Sequence, residues 1–137
     1  MSQLIVFIGT LFLCASTSFS EVIVLRDGAG TLQGTIQSAG DTGLLIQDSQ
    51  QPGNTIRIPW STIHQIQPEK SRPNIDHYLE VGELLWRAKR RLLRGDILLS
   101  QPIFESQFEK LLGTDGEDSR LVAEGLLRTL VAQGLLK

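Results

Sequence analysis

The sequence is poor in the residues that build cross-links and metal sites. Cysteine occurs once, at Cys14, and histidine twice, at His64 and His77. A single cysteine cannot form an internal disulfide, and neither histidine has a second ligand at the spacing of a zinc-binding helix. We therefore expect no disulfide, no metal and no other cofactor, with stability supplied by packing alone.

A charge excess of one sign is also lacking. The chain of 137 residues has 13 Lys and Arg against 15 Asp and Glu, a formal net charge of −2. This balance creates no long-range field that would attract nucleic acid or an anionic membrane. With 41% hydrophobic residues, the composition is typical of a globular protein with one or two small domains.

Long hydrophobic runs are absent except at residues 4–14. This run is too short to cross, as a helix, a hydrocarbon core of roughly 30 Å, and small polar residues follow it. The order is typical of a secretory signal helix cleaved after Ser20, although no Lys or Arg precedes the run. We predict a signal peptide over 1–20 and an exported, periplasmic or cell-envelope location. An uncleaved anchor or a buried N-terminal strand is the alternative.

Catalytic motifs are lacking as well. The glycine-bearing stretch 27–30 does not have the spacing of a dinucleotide-binding loop, and it opens a strand instead of a helix. Ser61 and Ser71 have no identifiable general base. We predict a non-enzymatic protein. An active site assembled from Asp41, His64 and a basic helix is the enzymatic alternative.

The sequence is rich in short alternating apolar runs between residues 21 and 67. Five such runs, enriched in β-branched residues, are separated by turns that contain glycine. Gly34, inside the second run, indicates a bend of the kind that closes a small barrel. The pattern predicts a five-stranded antiparallel β-barrel, with strands over about 21–27, 31–38, 44–48, 55–59 and 63–67.

This stretch resembles Sm-like barrels, which share their topology with Src-homology-type barrels. The similarity lies in Arg26-Asp27-Gly28, Leu32-x-Gly34-x-Ile36, Asp41 and Leu44-x-Ile46-x-Asp48. The resemblance implies a small barrel and, in that family, RNA binding. Two positions differ, because Gly43, Leu44 and Leu45 replace the RNA-reading Asn and Arg57-Ile58 replaces the family's Arg-Gly pair.

The last part of the stretch, Ile58-Pro59-Trp60-Ser61-x-Ile63-x-x-Ile66, more closely resembles small barrels of exported proteins from planctomycete-type bacteria. In those proteins of unknown function, the barrel precedes a tetratricopeptide-like helical region. The resemblance implies architecture and export more than an activity. Trp60 is then a core anchor or, alternatively, lines a peptide groove as in Src-homology-type barrels.

After a polar, proline-bounded linker (68–73), the region 74–137 has the apolar spacing of three helices. We predict helices from Asn74 to about Gly95, from Ile97 or Ser100 to Leu112, and from Ser119 onward. Their predicted apolar faces contain Tyr78, Val81, Leu85, Ala88 and Leu92, then Phe104, Phe108, Leu111 and Leu112, then Val122, Leu126, Leu127, Leu130, Val131 and Leu135. The fold class is α+β, and the helices form a degenerate tetratricopeptide-like repeat plus one helix, or an unrelated three-helix arrangement.

Two surfaces of the helical region are candidate partner sites. Arg87, Arg90, Arg91 and Arg94 form a basic run that binds anions or is a solvated helix face. The third helix, with Leu130 and Leu135, is expected to expose apolar surface because too few repeats are present to bury it. We predict an exported interaction or scaffold module that binds another envelope protein, or itself, through the C-terminal helices. The alternative is an oligomeric Sm-like RNA-binding protein in the cytoplasm.

Overall fold

The computed structural model describes residues 19–136, so the predicted signal peptide falls almost entirely outside the described residues. The strands are β1 (Glu21–Leu25), β2 (Thr31–Gly40), β3 (Gly43–Asp48), β4 (Thr55–Ile58) and β5 (Ile63–Gln67). The helices are α1 (Pro73–Leu93), α2 (Ile97–Leu111) and α3 (Glu117–Ala132), and short 3-10 turns occupy Arg26–Gly28 and Trp60–Thr62. The prediction of an α+β chain with five strands followed by three helices is confirmed.

The five strands form one antiparallel sheet in the order β4-β3-β2-β1-β5. Ile46 of β3 lies opposite Ile36 in β2 and Ile56 in β4, and Ile23 of β1 lies opposite Ile66 in β5. Side chains directly opposite each other project from the same face of a sheet. The alternation in the sequence therefore builds one continuous apolar face.

The sheet is open, so the prediction of a closed barrel is wrong. Within residues 19–136, strand pairing ends at β4 on one side and at β5 on the other. β4 contains only four residues, and the chain leaves it through Pro59, which has no N–H to donate to a neighbouring strand. Gly34 is regularly paired with Glu21 and Asp48, and the irregularity of β2 lies further along, where the register with β3 shifts between Ile36 and Ser38. That irregularity does not close the sheet.

Two apolar clusters hold the protein together. The first lies on the inner face of the sheet, is centred on Trp60 and includes Ile75 of α1. The second joins the three helices and contains Leu85, Phe104 and Val122. Because α1 contributes to both clusters, the sheet and the helices form connected layers.

The structure corrects the predicted buried face of α3. Leu127, Val131 and Leu135 are 54%, 55% and 65% exposed, whereas Leu126 and Leu130 are half-buried. The buried face contains Asp118, Val122, Gly125 and Thr129. A Cβ at position 125 would clash with the ring of Phe104, so small residues let α3 approach α2 closely. Hydrophobicity alone predicts the wrong buried face for α3, because the contact between α3 and α2 depends on the small size of Gly125.

A smaller correction concerns α2. Phe104 and Leu111 are buried as predicted, but Phe108 and Leu112 are 38% and 67% exposed. The helix begins at Ile97, so Pro102 lies inside it. The buried face of α2 is completed by polar residues, Ser100 and Gln107.

Candidate functional site

Trp60 is a residue of the core. It is 2% exposed, and its indole Nε1–H donates a hydrogen bond to the carbonyl oxygen of Gly40 at 2.7 Å. Its ring stacks on Tyr78, with ring centroids 5.0 Å apart. Burial on this scale leaves no ring surface to line an open peptide groove.

Asp118, in the first turn of α3, connects the helical region to the sheet. Its Oδ2 accepts the backbone N–H of Trp60 at 2.7 Å, and its Oδ1 accepts that of Ser61 at 3.3 Å. Asp118 is 4% exposed. Burial raises the pKa of this carboxyl above its ordinary value, and the hydrogen bonds from Ser61 and Trp60 offset only part of that rise. Sequence reasoning missed Asp118 because it looks like part of a polar loop.

A small cavity of about 40 Å³ adjoins Asp118. Its lining includes Tyr78, Asp41 and Gln107, and burial and the nearby Asp41 raise the pKa of Tyr78. Gln107 is 4% exposed, and its Oε1 accepts no hydrogen bond within residues 19–136. The volume suits a few water molecules and is well below the size of an organic-ligand pocket.

The four predicted arginines of α1 do not form one anion-binding cluster, because each has a nearby acceptor in the chain. Two of the acceptors are carboxylates: Glu83 pairs with Arg87, and Asp27 lies 3.9 Å from Arg90. The other two are neutral backbone carbonyl oxygens: Arg91 donates to Leu99 at 3.0 Å, and Arg94 donates to Arg90 at 3.3 Å. These local contacts favour the solvated-face interpretation.

A cation that sequence reasoning missed is Arg26, in the turn between β1 and β2. Its side chain is 7% exposed, and its guanidinium carbon lies 5.0 Å from the ring centroid of Trp86. Its Nη2 is 3.6 Å from Oε2 of Glu83, and its Nε has no hydrogen-bond partner in the described chain. Nothing in the sequence around Arg26 signals its burial, since Trp86 is distant along the chain.

Arg26 lines a groove of about 370 Å³, named here the Arg26 groove. The groove lies among the β1–β2 turn, β4, the turn Trp60–Thr62 and α1. Its other cations are Arg57 and Lys89, and its apolar lining residues are Leu25, Ala29, Leu32, Ile56, Ile58, Pro59 and Trp86. The Arg26 groove is larger than the cavity beside Asp118, and its volume is that of a ligand pocket.

The exposed side of α3 is the second distinctive surface. Leu127 and Val131 lie one turn apart on one side of α3 and are 54% and 55% exposed. Glu124 and Arg128 form an ion pair beside them, and we name these four residues the α3 outer face. Leu135 is 65% exposed but lies beyond Ala132, the last residue of α3, and after Gly134, which has a positive φ. Leu130, predicted as part of the partner site, is half-buried and lies beside this face.

The histidines do not form a site. His64 and His77 are both exposed, and Asp41 lies with His77 at the small cavity, where His64 is not a lining residue. Across residues 19–136, no three His, Cys, Asp or Glu side chains are grouped closely enough to hold a metal ion. In the same residues, no helix has both the length and the apolar character needed to cross a membrane.

No protein-family model matches the chain, and comparisons with curated proteins and with solved structures also give no match.

Proposed function

We propose that the chain is a non-enzymatic interaction module of the bacterial envelope and that the α3 outer face is its docking surface. The observation that carries this proposal is the exposure of Leu127 and Val131, at 54% and 55%, one turn apart on the same side of α3. Grouped exposed apolar side chains mark interaction sites more often than single ones do. The tetratricopeptide-like and Sm-like interpretations stay predictions and are not needed for this argument.

A helical partner suits the shape of this apolar pair. Apolar residues four apart along a helix are the anchors by which amphipathic helices pack on one another. Full burial of a Leu or Val side chain stabilises by about 1.5–3 kcal/mol. Since Leu127 and Val131 are already nearly half-buried, we expect roughly 1 kcal/mol from each.

The occupant we propose is α3 of a second copy. Glu124 and Arg128 have opposite charges and lie one turn apart on the same side as Leu127. In an antiparallel contact about a two-fold axis that passes between the two apolar residues of this face, Leu127 of each copy packs against Val131 of the other, and the Glu124–Arg128 ion pairs lie at the edges of the contact. A two-fold contact requires such self-complementarity, because the same patch serves on both sides.

Association should depend on the apolar pair. We expect the wild-type protein to dimerise in a concentration series, and Leu127→Glu with Val131→Glu to weaken the dimer at least about a hundredfold. Size-exclusion chromatography with light scattering measures both states. Leu98→Glu with Leu99→Glu is the matched control, since these α2 leucines are 71% and 59% exposed but lie outside the α3 outer face.

A wild-type protein that stays monomeric throughout the series would contradict self-association. Capture of another envelope protein that is lost in the Leu127/Val131 variant would instead identify that protein as the occupant. Equal loss of association in the Leu98/Leu99 control would show that the effect is not specific to α3.

Export is the remaining part of the proposal. Its support is the apolar run at 4–14 followed by small polar residues up to Ser20. We expect cell fractionation to place the protein in the envelope, with N-terminal sequencing beginning at Glu21. An intact Met1 in the cytoplasm would overturn export and favour the RNA-binding alternative.

A further inference from the structure

The charge of Arg26 is only partly compensated within the protein. Glu83, its nearest acid, is at 3.6 Å and is shared with Arg87. The hydrogen bond from Arg87 contributes most to lowering the pKa of Glu83, and the contribution of Arg26 is smaller. A largely buried guanidinium whose carboxylate partner is shared with a second arginine carries a desolvation penalty. An additional anion in contact with the guanidinium would offset that penalty.

Asp27 is the acid among the lining residues of the Arg26 groove, and it already has partners in the protein. The carboxylate of Asp27 accepts the indole Nε1–H of Trp86, at 3.2 Å to Oδ2, and lies 3.9 Å from Arg90. Arg57 and Lys89 also line the groove. Within the described residues, three cations, Arg26, Arg57 and Lys89, therefore line the groove with one carboxylate, that of Asp27, and the groove has an excess of positive charge.

Trp86 holds the Arg26 guanidinium in place. A cation 5.0 Å from the centroid of an indole ring is attracted to the ring face. This contact does not use the N–H donors of the guanidinium. Within the described chain, the Nε–H of Arg26 is unpaired and buried from solvent, and a carboxylate is well matched to the arrangement of guanidinium donors.

We propose that the Arg26 groove binds an aliphatic monocarboxylate, with the carboxylate on Arg26 and the alkyl chain along the apolar lining. The chemistry follows from the groove itself. Seven of its lining residues are apolar, and the charged donors lie at the β1–β2 turn, β4 and α1. A volume of about 370 Å³ lies within the range of small-molecule sites.

The test titrates the ¹⁵N-labelled full chain with octanoate, octanamide and acetate. Octanoate should shift the NMR signals of the Arg26 Nε–H and the Trp86 Nε1–H saturably. Octanamide, which lacks the charge, and acetate, which lacks the alkyl chain, should bind at least about tenfold more weakly. Equal binding of octanoate and octanamide would overturn the role of Arg26, and equal binding of octanoate and acetate would overturn the role of the apolar lining. Absence of any shift with octanoate would overturn the site.

Substitutions then assign the binding to Arg26. Arg26→Met keeps the apolar stem and should weaken the binding of octanoate at least about tenfold. Arg94→Met, at the C-terminal end of α1 and outside the groove, should leave the binding of octanoate unchanged. The signal of the buried Trp60 Nε1–H reports whether each variant is folded. If Arg26→Met does not fold, Arg26→Gln replaces it, because it keeps a polar side chain and removes the charge. Octanoate binding that is undiminished in the folded variant would overturn the proposal.

Discussion

Replacing Asp118 with alanine is expected to destabilise the protein by about 2–4 kcal/mol. The carboxylate accepts the backbone N–H groups of Trp60 and Ser61, and leaving a buried donor unpaired costs about 1–3 kcal/mol. Urea unfolding followed by circular dichroism measures the loss. Asp115→Ala is the matched control, because the Asp115 side chain is 93% exposed and forms an exposed ion pair with Arg120, so it should change stability by less than about 1 kcal/mol.

The contribution of Asp118 to the free energy of unfolding should change with pH in a definite direction. Burial raises the folded-state pKa of Asp118, so the folded protein binds the proton more tightly than the unfolded chain does. The resulting stabilisation is fully present below the unfolded pKa of about 3.9 and is lost as pH rises through the raised folded pKa. The stability difference between the wild type and Asp118→Asn should therefore grow as pH falls from neutral towards 4. A difference that shrinks over that window would contradict the raised pKa.

The second large effect is expected at Trp60. Trp60→Ala should destabilise the protein by about 3–5 kcal/mol, because truncating a fully buried aromatic leaves a cavity in the core. It would also remove the stacking on Tyr78 and the bond to the carbonyl oxygen of Gly40. Thermal and urea unfolding measure the change.

Two comparisons separate the contributions of Trp60. Trp60→Phe keeps an aromatic ring and loses the indole donor, so it should cost roughly 1–3 kcal/mol, less than the alanine variant. Trp86→Ala, at a half-buried position, should also cost less. A Trp60→Ala protein as stable as the wild type would contradict the assignment of Trp60 to the core.

The strands and turns were predictable because they depend on local sequence. Alternation of β-branched residues places Ile23, Ile46 and Ile66 on one face. Gly95 and Gly113 follow the ends of α1 and α2 with positive φ, the conformation that glycine adopts without strain. These signals lie within a few residues of the elements that they define.

The errors arise where distant parts of the chain meet. The buried face of α3 uses Asp118, Gly125 and Thr129, whose burial depends on Phe104 and on the turn at Trp60. Barrel closure depends on whether two edge strands come close enough to pair, and alternation within each strand does not determine that distance. The Arg26 groove was missed for the same reason, because it is created when Trp86 of α1 packs over a turn of the sheet.

The most direct test of the proposed function is a cross-link through the α3 outer face. Cys14 is the one cysteine of the chain, so a Cys14→Ser background allows a single new cysteine to be placed at will. With a short bismaleimide reagent, Leu127→Cys should yield a covalent dimer of native stability, and Leu98→Cys should remain monomeric. Equal cross-linking at both positions, or none at Leu127→Cys, would contradict docking of two copies through α3.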